Sequence, residues 1–246
     1  RFMKNFLYLV FVFFGFFSVL RAADFNQEFY IDANASSDGQ EGTSSHPFKS
    51  LHTAFQKVNN KIKEITDIKK IQVKFHIVSD LEVTGFRSDD GIILPNKPTE
   101  KGDILFHFVS DDGRKTLAFK EVANPVRLSG DNSRFKFENI AFKFSANDAI
   151  SQNAVLYLHG ANSDAVFKDC LFSGSGSETS THPFILLDIE TALIISSTFS
   201  ESKHRNPMIQ AKKSLRIENS KFTKVEGMNY IKIENGSAFS FISNTI

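Results

Sequence analysis

The chain has 246 residues, with 29 Lys and Arg against 28 Asp and Glu, a formal charge of +1. Such a balance argues against nucleic acid as a partner, because proteins that bind it concentrate Lys and Arg to neutralise phosphates. A single cysteine, Cys170, excludes an internal disulfide framework, and the length suffices for one domain with a sizeable core.

Arg1 and Lys4 precede an apolar run over residues 6–20, and Ala22-Ala23 follow. That order predicts a secretory signal peptide over residues 1–23, cleaved near Ala22 or Ala23. A signal-anchor helix is the competing reading, although the run is short for a span of about 20 residues. Arg21 is the irregular residue in the pattern. Removing residues 1–23 takes away three cations and no acids, so the remainder carries a small negative charge. Residues 24–246 are then expected to form one secreted or cell-surface domain. Two sequons, Asn34-Ala35-Ser36 and Asn235-Gly236-Ser237, fit that route and a glycoprotein. No later apolar run reaches the length of a membrane-spanning helix.

In chain order, residues 28–31 read as a first strand, followed by a Gly- and Ser-rich loop over 32–45. Pro47 is expected to open a helix, since proline suits the first turn. Phe48, Leu51, Phe55 and Val58 recur at spacings of three to four, one apolar stripe. Asn59-Asn60 is a candidate stop, with Lys61 to Ile68 able to prolong the helix. From Ile71 onward the pattern becomes strands. Residues 71–77 alternate strictly, and 104–109, 126–128 and 135–137 continue in that style. Ser88-Asp89-Asp90-Gly91 and Ser110-Asp111-Asp112-Gly113 are identical tetrapeptides that read as equivalent corners of successive units.

The second half repeats a short motif: apolar, any residue, Asn/Asp/Ser, two residues, then a large apolar residue. Copies start at Phe137, Phe167, Ile194, Ile217 and Phe241. Their steps of roughly 30, 27, 23 and 24 residues signal stacked units. A further strand precedes each later copy, over 155–158, 184–189, 208–211 and 230–233. Each unit therefore reads as a strand, a polar corner, a second strand with the motif, and another corner. Asn139, Asp169, Ser196, Asn219 and Ser243 suit a corner in left-handed geometry, where their side chains would bond neighbouring coils. Phe142, Phe172, Phe199 and Phe222 would stack in the core. A β-sandwich with ordinary alternation is the alternative, but a polar residue at a fixed offset favours a coil.

The run Tyr30-Ile31-Asp32, Ser37-Asp38-Gly39, Gly42-Thr43, Pro47-Phe48, Ser50-Leu51 and Ala54 resembles the opening segment of the pectin lyase-like right-handed parallel β-helix superfamily. The resemblance implies an all-β fold, a right-handed parallel β-helix with an N-terminal capping α-helix. Residues 24–70 would form the opening strand, loop and capping helix, and residues 71–246 the coils. A helix there makes physical sense, because a solenoid end exposes unpaired edges and apolar side chains. The last motif copy ends at Ile246 with no cap after it, so the chain is expected to be the N-terminal part of a larger protein. An open end of this kind would also invite self-association.

Catalytic members of that superfamily use clustered aspartates, for calcium or as acid and base, with a basic residue in the groove. Here the acid pairs Asp89-Asp90 and Asp111-Asp112 both sit in turn sequences, so turn formation is the ordinary account and a calcium site joining the two corners the functional one. The polygalacturonase hallmarks Gly-His-Gly, Asn-Thr-Asp and Arg-Ile-Lys are missing; His159-Gly160 and Arg216-Ile217-Glu218 are the nearest fragments. The seven histidines are dispersed, without ligand spacing for zinc, and His46 and His52 flank the helix start. Arg127, Arg134 and Lys143 are candidate groove residues or ordinary solvated strand positions. Cys170 is a small apolar corner residue, or else a reactive thiol or one half of an intermolecular disulfide. The Lys203-His204-Arg205 corner and the loop over 173–181 are candidate partner contacts. No catalytic, cofactor-binding or metal-ligating set is assigned. The expected function is a scaffold or binding module for a carbohydrate or a cell-surface protein. A divergent polysaccharide lyase or glycoside hydrolase acting on acidic polysaccharide is the alternative.

Overall fold

The computed structural model describes residues 23–36, 41–64, 68–83, 92–93, 104–120, 126–145, 154–175, 182–203, 207–226, 230–234 and 236–246. The predicted signal peptide, apart from Ala23, lies outside the described residues. So do Ser37-Asp38-Gly39, Ser88-Asp89-Asp90-Gly91, residues 176–181, His204-Arg205 and the sequon residue Asn235. Among the described residues no helix is long and apolar enough to cross a membrane.

The described residues open with β1 (Ala23–Ile31), cross the helix α1 (Leu51–Glu64), and then wind through six three-stranded coils. These are β2 (Ile68–Ile77), β3 (Leu81–Val83) and β4 (Ile92–Ile93); β5 (Ile104–Val109), β6 (Lys115–Lys120) and β7 (Val126–Ser129); β8 (Ser133–Glu138), β9 (Ile140–Ser145) and β10 (Leu156–His159). There follow β11 (Asp164–Lys168), β12 (Leu171–Ser175) and β13 (Ile185–Asp188); β14 (Thr191–Ile195), β15 (Thr198–Lys203) and β16 (Ile209–Ala211); β17 (Ser214–Glu218), β18 (Lys221–Glu226) and β19 (Ile231–Ile233). A last strand, β20 (Phe239–Ile242), begins the next turn.

Corresponding strands of successive coils pair in parallel and build three sheets. Sheet A runs β1-β2-β5-β8-β11-β14-β17-β20, sheet B β3-β6-β9-β12-β15-β18, and sheet C β4-β7-β10-β13-β16-β19. This is a parallel β-helix with one helix among the described residues. It corrects the two-strand unit expected from sequence. The motif does not lie on one strand but straddles the corner from sheet A to sheet B, and the strand after it belongs to a third sheet.

That corner has the conformation the motif predicts. Asn139, Asp169, Ser196, Asn219 and Ser243 all have φ between 48° and 58°, the left-handed region that costs most residues about 1–2 kcal/mol. Their amides continue the stacking, as Asp169 N donates to Ile195 O at 3.1 Å and Asn219 N to Ile242 O at 3.1 Å. The expected side-chain ladder at this position is seen at Asn139, whose Nδ2 donates to Ser110 O at 2.9 Å. The more regular ladder sits one residue later. Cys170 N donates to Ser197 Oγ, Ser197 N to Ser220 Oγ and Ser220 N to Asn244 Oδ1. A short side chain there turns back to the neighbouring coil, whereas the left-handed residue projects outward. Asn139→Ala is expected to cost about 1–2 kcal/mol in denaturant unfolding and Asn139→Gly less, because glycine accepts positive φ freely.

The core is a set of phenylalanine stacks. In sheet B, Phe142, Phe172, Phe199 and Phe222 follow one another at ring separations of 5.4, 4.8 and 4.5 Å, as expected. A parallel column in sheet A joins Phe75, Phe108, Phe137 and Phe167 at 4.8, 4.9 and 4.9 Å. Register explains both columns, since Phe137 pairs with Phe108 and Phe167, and Phe172 with Phe142 and Phe199.

At the N-terminal end α1 lies against β1 and β4. Its buried stripe is Leu51, Ala54, Phe55, Val58 and Ile62, with the Phe55 ring against Phe75 and Phe108. Pro47 does not open this helix. Phe48 bridges to Ile31 in parallel, and Ser50 is the cap, accepting from Thr53 N at 3.2 Å. The helix also runs past Asn59-Asn60 to Glu64, because Ile62 extends the buried stripe by one turn.

Candidate functional site

The strands of sheet C alternate core-facing and outward side chains, although Leu186 on the outward side of β13 is buried. In β10, Leu156 and Leu158 are buried while Tyr157 is half-buried and His159 exposed. Parallel register then builds two outer rows. Arg127, Tyr157 and Leu186 form one, and Ser129, His159 and Asp188 the other. Lys212, immediately after β16, continues the second row beyond Asp188.

Asp188 is the hub of this face. Its Oδ2 accepts from Tyr157 Oη at 3.0 Å and from Lys212 Nζ at 3.0 Å, with His159 Nδ1 at 3.3 Å. Partial burial works to raise the Asp188 carboxyl, but the Lys212 and Tyr157 hydrogen bonds outweigh it and hold the group below its ordinary value. The Lys212 ammonium is raised by the same hydrogen bond, and the Tyr157 phenol is raised by burial and by Asp188. Arg127 lies over the Tyr157 ring, 5.5 Å from its centroid. Two polar atoms of β7, Arg127 Nε and Ser129 Oγ, are buried without a hydrogen-bond partner among the described residues.

A second polar cluster lies on the outer side of sheet A. The His76 imidazole stacks on Tyr30 at 4.4 Å, meets Glu28 Oε2 through Nε2 at 3.2 Å, and meets Asp111 Oδ2 through Nδ1. It ties β1 to the corner between β5 and β6. Beside it, Glu138 accepts from Lys136 at 2.7 Å and Lys168 at 2.9 Å, which hold its carboxyl at about 2. Burial and the Lys136 charge lower His107 from its usual value, against the opposing Glu138. Each charge in this cluster already has its partner, as in a structural network.

The candidate residues from sequence do not converge. Arg127 faces outward on sheet C, Arg134 on sheet A and Lys143 on sheet B, three different sides of the coil. Ser110–Gly113 joins sheet A to sheet B; its counterpart over residues 88–91 lies outside the described residues. Among the described residues no group of three or more His, Cys, Asp or Glu could hold a metal ion. Cys170 is fully buried at its corner, and burial pushes its thiol up to about 12, so it packs rather than reacts. His46 is exposed, its Nδ1 3.1 Å from Ser45 Oγ.

Tyr157, Asp188 and Lys212 escape notice in the sequence because they stand alone, 24–31 residues apart. The available signal was a polar residue closing each short strand, in Leu-Tyr-Leu-His, Ile-Leu-Leu-Asp and Ile-Gln-Ala-Lys. A second missed repeat is Gly130-Asp131-Asn132-Ser133 and Gly160-Ala161-Asn162-Ser163. There Asn162 Nδ2 donates to Asn132 Oδ1 at 2.8 Å across the corner from sheet C to sheet A.

No protein-family model, curated protein or solved structure was found to match this chain.

Proposed function

We propose that this chain is a secreted or cell-surface β-helix binding module that holds a carbohydrate on the outer face of sheet C. One observation carries the reading: the Tyr157 ring, backed by Arg127, offers a platform beside Asp188 and Lys212. A sugar offers an apolar face of C–H groups and a rim of hydroxyls. The platform suits the first, and an ionised carboxylate next to an ammonium suits the second. Asp188 is held in its charged form by two donors, which favours accepting hydroxyl protons over donating a proton to a leaving group. Glycoside hydrolysis needs a protonated acid as well as a second carboxylate, so binding is preferred to cleavage.

The secretory route rests on the apolar run over residues 6–20 and on Asn34, which is exposed on the turn after β1. The parallel coil and the Pro47-Phe48 bridge beside Ile31 support reading the chain as a divergent pectin lyase-like protein.

A panel of neutral and acidic oligosaccharides, followed by titration of any that bind, tests the proposal. Titration calorimetry reads binding equally in the wild type and in variants that lack the Tyr157 hydroxyl or ring. Tyr157→Ala is expected to weaken binding about tenfold or more, and Tyr157→Phe, which keeps the ring, only a few-fold. Indifference to Tyr157→Ala would discard this face, and release of new reducing ends would favour the hydrolase.

A further inference from the structure

Strand β14 reads Thr-Ala-Leu-Ile-Ile and is apolar on both sides. Ala192 and Ile194 are buried in the core, while Leu193 and Ile195 point outward and are half-buried. Val166 of β11 lies in register with Leu193 and extends the outer patch. Parallel strands carry apolar residues on both faces where both faces are covered. Elsewhere the same outer row holds Lys74, His107, Lys136 and Arg216, as a solvated face should.

Val166 and Leu193 form the floor of a hollow of about 790 Å³ on sheet A, within the range of ligand-sized sites. Arg134 and Lys136 of β8 wall one side and Arg216 of β17 the other. Each cation is steadied by an acid beneath it. Arg134 Nη2 donates to Asp164 at 3.2 Å, Lys136 Nζ to Glu138 at 2.7 Å, and Arg216 pairs with Glu218. The two arginines stand well above their acids, whereas Lys136 and Glu138 are both half-buried. The Asp164 and Glu218 side chains are 14% and 16% exposed, against 52% for Arg134 and 57% for Arg216. An incoming group therefore meets positive charge around an aliphatic floor.

We propose that this hollow docks an extended peptide segment of a partner protein, with an apolar side chain between two acidic ones. The walls stand three strand spacings apart, about 14 Å, which four residues of extended chain cover. Acidic residues at positions one and five would reach β8 and β17, and an apolar residue at position three would sit on Leu193 and Val166. The floor is aliphatic and lacks the aromatic ring that distinguishes the sheet C face, so a peptide fits it better than a glycan.

Fluorescence anisotropy of a labelled Gly-Glu-Ser-Leu-Ser-Glu-Gly peptide, titrated with the full chain, tests the proposal. Saturable binding is expected, weakening several-fold between about 50 and 300 mM salt as exposed charges are screened. Leu193→Asn and Arg216→Gln should each weaken it about tenfold, while Tyr157→Ala leaves it unchanged. Both substitutions face solvent, and melting curves verify that each variant is folded. Lack of saturable binding would overturn the proposal. So would equal binding of a peptide with lysine in place of glutamate, or a uronic-acid oligosaccharide that occupies the hollow regardless of Leu193→Asn.

Discussion

Replacing Phe172 with alanine is expected to destabilise the protein by about 3–5 kcal/mol, the range for truncating a fully buried phenylalanine. Phe172 has no exposed surface and stands in the middle of the sheet B column, stacked on Phe142 and Phe199 and edge-on to Phe167. In a close-packed interior the neighbouring rings are held by their own strands and relax only partly into the space. The loss should appear as a lower denaturant midpoint. Two comparisons isolate the cause. Phe222→Ala removes the same ring from a partly exposed position at the end of the column and should cost clearly less. Lys168→Ala, on the outer side of β11, should be nearly neutral despite its contact with Glu138, because exposed ion pairs contribute little. Equal, small effects for Phe172 and Lys168 would refute the inward assignment of the column.

The same contrast explains what was legible in the sequence. Left-handed backbone tolerates few residue types, so Asn139, Asp169, Ser196, Asn219 and Ser243 announce their corner at a fixed offset from an apolar residue. The strand count per coil was less legible. The corner at Asn139 is a single residue, too short to interrupt the apolar pattern from Phe135 to Phe144, so two strands read as one. Pro47-Phe48 was misplaced for a different reason. Its backbone pairs with Tyr30, Ile31 and Asp32, a long-range contact that overrides the local preference of proline for a helix start. The sheet C face was least legible. It is assembled from single residues contributed by Val126–Ser129, Leu156–His159 and Ile185–Asp188, and each is unremarkable until the coils are stacked. Sheet A's outer hollow is similar, since its floor takes one residue each from two strands, Val166 and Leu193.

Gly42→Ala is expected to cost about 3 kcal/mol, and it tests the opening segment as Phe172 tests the coils. Gly42 has φ of 82°, where a side chain is strained in any surroundings. A Cβ there would also run into the Phe48 ring and lie 2.7 Å from Phe29 Cδ1. Neither ring has room to yield. Phe29 is packed between Phe48 and Phe75, and Phe48 is fixed by bonds from its own backbone to Tyr30 and Asp32. Tyr30 N donates to Gly42 O at 2.8 Å, so a shift of residue 42 would pull on β1 as well. Overpacking of this kind costs about 1–3 kcal/mol and left-handed strain about 1–2. Because the loop joins β1 to the capping helix, the damage should be local at first. Hydrogen exchange is expected to accelerate in β1 and α1 at denaturant concentrations where β8 to β17 remain protected, as neighbour-only coupling in a solenoid allows. Uniform acceleration along all coils would instead mean that the cap and the coils unfold as one unit.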